Sequence, residues 1–200
     1  DFCLSRGLGD VYKRQLLDYA INASLVLSYV AMRKDDKAGL VTFNEYFDTF
    51  VPASKQVGQM QTLLENLYKQ ETTFGETDFS ALCGHLGKHV NKRSFLVLYT
   101  NFSNMTSLNR QLVYLQQLAR QHRVLVVFFE DADLKEYIAG KSVTTEDYYR
   151  HVIAEKFAFE KRLIVSTLKQ HGIYSLLTTP DKLSIDVINK YLEMKSRQLL

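Results

Sequence analysis

Between Leu16 and about Lys34, apolar residues occupy nearly every side of a helical wheel, and the polar positions Asp18, Asn22 and Arg33, with Tyr29 between them, recur at helical spacing. The pattern predicts a helix buried over most of its surface. Ala38 to Phe43 is a short β-rich apolar run, Asn44-Glu45 reads as a turn, and Tyr46 to Val51 continues as a partner strand, so an edge hairpin is predicted. Val57, Met60, Leu64, Leu67 and Tyr68 keep a 3.6-residue period. Phe79, Leu82, Cys83, Leu86 and Val90 do the same after the turn-like Thr72 to Asp78, which predicts two amphipathic helices.

The second half alternates. Ser94 to Tyr99 and Val124 to Phe129 are nearly continuous apolar runs of the kind found in strands buried on both faces, and Leu108, Leu112, Leu115 and Leu118 mark a helix between them. A long helix is predicted from about Thr145 along Tyr149, Ile153, Phe157, Ile164 and Leu168, with Gly172 as its C-terminal cap. Ile173 to Leu177 is a further strand, and Ser184 is placed to cap a last helix with Val187, Ile188, Tyr191 and Met194 inside. Strands alternating with helices imply an α/β domain with a mostly parallel sheet, helices on both faces and an antiparallel edge hairpin.

Composition agrees with one globular domain: 46% hydrophobic, 24% charged and two prolines in 200 residues. A formal charge of +3 without a basic cluster gives no reason to expect nucleic acid as a partner. The two cysteines, Cys3 and Cys83, are too few for a disulfide framework, which favours a cytoplasmic setting. The longest apolar stretch, Leu25 to Met32, is far shorter than the roughly 20 residues of a membrane-spanning helix. Residues 1–15 show neither period, and they read either as a non-native leader or as a flexible tail ahead of a domain over 16–200.

The runs Leu16-Leu17-Asp18-Tyr19-Ala20-Ile21-Asn22-Ala23, Lys37 to Phe43, Arg93 to Phe102 and Ala154 to Arg162 resemble the bacterial, MoxR-associated members of the domain of unknown function 58 (DUF 58) family. The resemblance implies a three-layer von Willebrand factor A-like, Rossmann-like fold whose first strand is central and ends in an Asp-x-Ser-x-Ser loop. No such strand precedes Leu16, so the central strand is expected to be missing. Losing four or five apolar side chains worth roughly 1.5 to 3 kcal/mol each rivals the about 5 to 15 kcal/mol of a whole domain, so instability and exposed strand edges are expected. The resemblance also implies a MoxR-type AAA+ ATPase as partner and a membrane anchor elsewhere in the full-length protein.

In related domains a divalent ion sits at the strand ends. By position Thr77 matches the second-loop Thr, and Asn101 stands where an Asp is expected. An amide lacks the charge Mg²⁺ favours, so no cofactor is expected unless the upstream loop is restored. Even so, ligands of open α/β sheets bind at the carboxyl ends of strands. Asn44, Thr77, Thr100 and Asn101, with Asp78 beside them, are expected to converge there as a binding rim. The alternative is that Thr77 and Thr100 cap helices, Asn101 satisfies loop backbone, and Asp78 and Glu76 are helix N-terminal residues favoured by the dipole.

Other constellations are weaker. His85 and His89 have the spacing of a zinc pair but lack the Glu of H-E-x-x-H, since Leu86 stands in its place, and solvent-facing histidines are the alternative. Ser5 to Asp10 lacks the strand and Gly-Lys of a phosphate loop, no Gly-x-Ser-x-Gly elbow occurs, and Cys83 lies in an apolar stripe. Glu155 to Arg162 is either a partner-docking surface or a solvated face over core residues Phe157 and Phe159. The resulting expectation is an interaction module, not an enzyme. The competing reading is a metal-dependent or small-molecule enzyme using the same crevice.

Overall fold

A computed structural model describes residues 2–43, 47–70, 77–102, 104–130 and 145–200. The chain divides into two compact units, Asp1–Asn91 with Asp181–Leu199, and Lys92–Pro180 with Leu200.

In the first unit, helix α1 spans Phe2–Arg33, so the helix predicted from Leu16 begins well upstream, within the stretch read as a leader or tail. No proline interrupts that stretch, and helical backbone continues through it although its apolar periodicity is weak. The C-terminus of α1 closes through Asp35 at φ 63° and the hydrogen bond from Asp36 N–H to Ala31 O, 3.0 Å. Strands β1 (Ala38–Phe43) and β2 (Phe47–Ser54) form the predicted antiparallel hairpin, with Leu40 opposite Val51 and Val41 opposite Phe50, but among the described residues it is a two-stranded sheet of its own and not an edge of the parallel sheet. The turn Asn44-Glu45 lies outside the described residues. The register shifts between Ala38 and Leu40, where a Cβ on Gly39 would come within 2.8 Å of both Ala53 N and Val51 O. Only glycine allows that close approach. The Gln59 side-chain amide ties the strands together by donating to Ala38 O at 2.8 Å and Pro52 O at 3.0 Å.

Helix α2 (Gln59–Tyr68) packs on the hairpin and α1 through Leu63 and Leu67. Ala38, Val51 and Leu63 share a core cluster with Met32 and Leu40. The predicted stripe was set slightly off: Val57 is fully exposed and Tyr68 is 75% exposed. One residue of phase separates Leu64 from Leu63, and only contact with the hairpin decides between them. Helix α3 (Phe79–His89) buries Phe79, Leu82, Cys83 and Leu86 as the periodicity predicts, and Phe79 meets Phe43 edge-on at 5.5 Å.

The second unit is a parallel sheet in the order β3 (Phe95–Tyr99), β4 (Arg123–Phe129), β5, with helix α4 (Met105–Gln121) between the first two strands. β4 is central, and every residue from Val124 to Phe129 is buried. β3 carries an equally apolar sequence but is only partly buried apart from Leu98, which corrects the expectation that both strands are covered alike. Helix α5 (Thr145–Gln170) packs on β5 (Tyr174–Thr178), and Gly172 at φ 72° forms the predicted turn after it.

The stripe assigned to α5 also needs correction. Ile164 and Leu168 are buried, but Ile153 and Phe157 are 43% and 47% exposed, and Phe159 is 60% exposed. The buried positions are Ala154, Ile164 and Leu168, and Phe157, within about 20° of the last two on the helical wheel, is on the same side but exposed. Phe157 and Phe159 are therefore not core residues.

The last helix, α6 (Leu183–Ser196), follows a 3-10 turn at Pro180–Lys182 and returns to the first unit against α1. It starts before Ser184, and no side chain caps it, so the expected Ser184 cap is not formed. Its inner side is Leu183, Val187, Tyr191 and Met194.

Candidate functional site: the carboxyl ends of the parallel strands

The amides of Thr100 and Glu130 extend the sheet past its strand ends, donating to Val127 O at 3.0 Å and Thr178 O at 2.9 Å. Three strand ends therefore stop level, and the polar residues that follow them, Thr100 and Asn101, Glu130, and Thr178 with Thr179, lie along one rim. Phe102 is 4% exposed and anchors the segment after β3. The chain then enters α4 through a capping box in which Ser107 N–H donates to Asn104 Oδ1 at 2.9 Å, so Asn104, not Thr100, begins that helix.

Lys161 reaches this rim from α5. Its Nζ donates to Asn101 Oδ1 and to Phe102 O, both at 2.7 Å, and lies 5.5 Å from the centroid of the fully buried Phe128 ring. Charge-assisted hydrogen bonds of this length are among the stronger ones in proteins, and a ring face adds cation–π attraction. The residue falls on the inner line of α5, seven positions after Ala154 and three before Ile164. Lys161 follows Phe157 by one helical turn on the predicted stripe, and a lysine at such an inner helical position is the signal that would have found it.

The expected site residues fall in different places. Thr100 and Asn101 stand together with Lys161 in the second unit. Thr77 and Asp78 stand together at the start of α3 in the first unit, where Asp78 Oδ1 accepts from Ser80 N–H at 2.8 Å and Ala81 N–H at 3.0 Å. Asp78 is the helix cap, and Thr77 beside it is half-buried. Asn44 and Glu76 lie outside the described residues.

A divalent ion does not fit at Asn101. The amide oxygen already accepts from an ammonium at 2.7 Å, and a second cation bound to the same oxygen would be strongly repelled. Among the described residues, no three His, Cys, Asp or Glu side chains are placed to hold a metal. The His85 and His89 rings stack at 6.1 Å, and His89 also lies 5.2 Å from Phe50. Burial pushes the Cys83 thiol up to about 11, which leaves it protonated and unreactive at neutral pH.

The second unit has one further buried polar group. His122, 2% exposed, accepts the Ser94 N–H through Nδ1 at 3.3 Å. Nδ1 as acceptor leaves the proton on Nε2, which no acceptor reaches among the described residues. Burial lowers its pKa, so the ring is neutral.

Fold and rim together define a mixed α/β protein with a parallel three-stranded sheet and polar strand ends. The chain belongs to the family described as "Protein of unknown function DUF58", which matches residues 6–143. The match begins inside 1–15 and ends before the Ala154 to Arg162 run. No curated protein and no solved structure gives a significant match. Among the described residues, no helix is long and apolar enough to cross a membrane.

Proposed function

We propose that this chain is a protein-interaction module with a von Willebrand factor A-like arrangement, and that a MoxR-type AAA+ ATPase docks on it. The observation that carries the reading is the outer side of α5. Tyr148, Val152, Phe159 and Leu163 are 40% to 63% exposed and fall within about 60° of arc at 100° per residue, opposite Ala154, Ile164 and Leu168. Scattered apolar residues on a surface need no explanation, but a continuous line with two aromatics is the composition of a binding anchor. The rim at Thr100 and Asn101 supplies the polar part of the surface. The partner is inferred from the resemblance of the Leu16 to Ala23, Lys37 to Phe43 and Arg93 to Phe102 runs to MoxR-associated members, and the parallel strand order β3, β4, β5 supports the fold.

Calorimetric titration of the purified chain with the ATPase is the direct test. Phe159→Ser combined with Leu163→Ser should weaken binding at least about tenfold, the scale of one lost hot-spot residue. Asn101→Asp should weaken it less, and Thr77→Ala, remade beside the α3 cap, least. Equal affinity for all these variants would remove α5 and the rim from the interface and overturn the proposal.

A further inference from the structure

We infer that the amino ends of the parallel strands in the second unit form a basic face that adsorbs to a bilayer of anionic phospholipid through charge alone. Chain topology assembles this face from three segments. Lys92 and Arg93 precede β3, Arg120 lies in the last turn of α4 ahead of β4, and Lys169 lies in the last turn of α5 ahead of β5; all four are exposed. Parallel pairing sets the strand starts level, with Phe95 beside Arg123 and Leu125 beside Tyr174. The entrances to β3 and β4 are also fastened together. Arg123 N–H donates to Ser94 O at 2.9 Å, and Ser94 N–H donates to Nδ1 of the buried His122 at 3.3 Å.

No single stretch of sequence discloses the face, because Arg93 and Arg120 are 27 positions apart and Arg120 and Lys169 are 49 apart. No acidic residue occurs in 92–95, 116–124 or 165–174, and among the described residues none of the four cations is in an ion pair. The helix dipole accounts for Arg120 and Lys169 one at a time, but Lys92 and Arg93 lie in no helix. Cations gathered at one end of a sheet without acids between them raise a positive potential there. The partner follows from what the face lacks. None of the exposed large hydrophobic residues falls in these three segments. A protein partner calls for an aromatic or aliphatic anchor, and single-stranded nucleic acid calls for aromatic faces on which bases stack. Duplex readout needs a helix or ribbon that enters a groove, whereas these cations stand at strand starts and helix ends. Mobile headgroups in a plane need neither an anchor nor a fixed register, and a cluster of about four Lys and Arg is enough to hold them. The face lies at the strand ends opposite the proposed docking rim, so the inference stands apart from the ATPase reading.

Co-sedimentation of the purified chain with vesicles tests it. Vesicles of phosphatidylcholine with about 30% phosphatidylserine should bring the chain down at low salt, and phosphatidylcholine alone should not. Lys92→Ala with Arg93→Ala should weaken the association by about 25-fold, about fivefold for each charge removed, and Arg120→Ala with Lys169→Ala by a similar factor. Lys69→Ala with Lys156→Ala, which removes two exposed cations elsewhere, should change it less than about fivefold. Sodium chloride should release the wild-type chain, and inorganic phosphate at equal ionic strength should release it no better, which separates a charged surface from a pocket for free phosphate. Equal association with both kinds of vesicle, no association with either, or equal losses for the face and control pairs would each overturn the inference. Tighter binding to an oligonucleotide than to the anionic vesicles, weakened by the same substitutions, would overturn it in favour of nucleic acid.

Discussion

Each of the two units holds a helical lysine in a tertiary contact, and the partners differ in kind. In the first unit Lys195 of α6 donates to the Asp36 carboxylate at 2.6 Å and to Lys34 O at 2.9 Å, while the Tyr191 hydroxyl donates to the same carboxylate. This clasp ties the end of α1 to α6 through an ion pair. In the second unit Lys161 meets an amide and a peptide oxygen, neither of which titrates. The clasp is therefore a fastening that pH can open through its carboxylate.

The comparison depends first on which residues of α5 are buried, and core truncation gives the largest effect. Ile164→Ala should cost about 2–5 kcal/mol, because the site is fully buried and the cavity is incompletely refilled. Phe157→Ala removes a larger side chain but one that is 47% exposed, and should cost less than half as much. Urea denaturation followed by circular dichroism distinguishes the two. A larger loss for Phe157 would put it in the core and contradict its exposure.

Asp36→Ala strikes the clasp directly. It leaves the Tyr191 hydroxyl and Lys195 without their carboxylate and should cost about 1–2 kcal/mol, near the lower end for charged hydrogen bonds because both charged side chains are partly exposed to screening solvent. The pH behaviour follows from three shifted groups. Burial alone would raise the Asp36 pKa, but the hydrogen bonds from Lys195 and Tyr191 and the Lys195 charge hold it below the ordinary 3.8. Its contribution is complete above that value and disappears as pH falls through the lower folded one. The Asp36 hydrogen bond raises Lys195 above 10.5, and burial with the Asp36 hydrogen bond raises Tyr191 above 10.0. Their contributions are complete at lower pH and disappear as it rises through the folded values. The wild-type minus Asp36→Ala difference in urea midpoint should thus be flat through neutrality and shrink at both extremes, and a difference that grew toward acid would contradict the ion pair.

What the sequence disclosed tracks how locally each feature is determined. Strand β1 was predicted at its observed ends, β4 nearly so, and the α3 stripe was found whole, because alternation, apolar runs and helical period are properties of neighbouring residues. The phase of α2 was not found, since Leu63 against Leu64 is decided by what the helix packs on, and in α5 the exposure of Ile153 and Phe157 beside the buried Ile164 and Leu168 is not encoded in the period. The unequal cover of β3 and β4 follows from sheet order, which an apolar run does not encode. At the rim, Asn101 was singled out by resemblance, but its partner Lys161 is sixty positions away, a pairing no local pattern encodes. Caps show the same division on a smaller scale. Asp78→Ala should cost about 1 kcal/mol through the loss of two backbone hydrogen bonds, whereas Ser184→Ala, inside α6 and not at its cap, should stay within about 0.5 kcal/mol. Thermal denaturation compares the pair, and an equal loss would restore Ser184 to a capping role.

The smallest expected effect separates the units on the acid side. His122 in the second unit is buried as a neutral ring, and burial lowers its pKa from the ordinary 6.5. Below that value the unfolded chain takes up a proton that the folded ring resists, so stability falls with pH from about neutrality until the lower folded pKa is crossed, and then levels. Protonation also removes the Nδ1 lone pair that accepts the Ser94 amide. His122→Asn keeps an acceptor near the Nδ1 position but has no titrating group, so its urea midpoint should decline less than that of the wild type between pH 7 and pH 5. Subtracting one curve from the other cancels the remaining histidines, which both proteins share. Parallel curves would mean that the ring charges freely in the folded state, and the second unit would then lose no more stability over this range than the first, whose Asp36 clasp opens only in stronger acid.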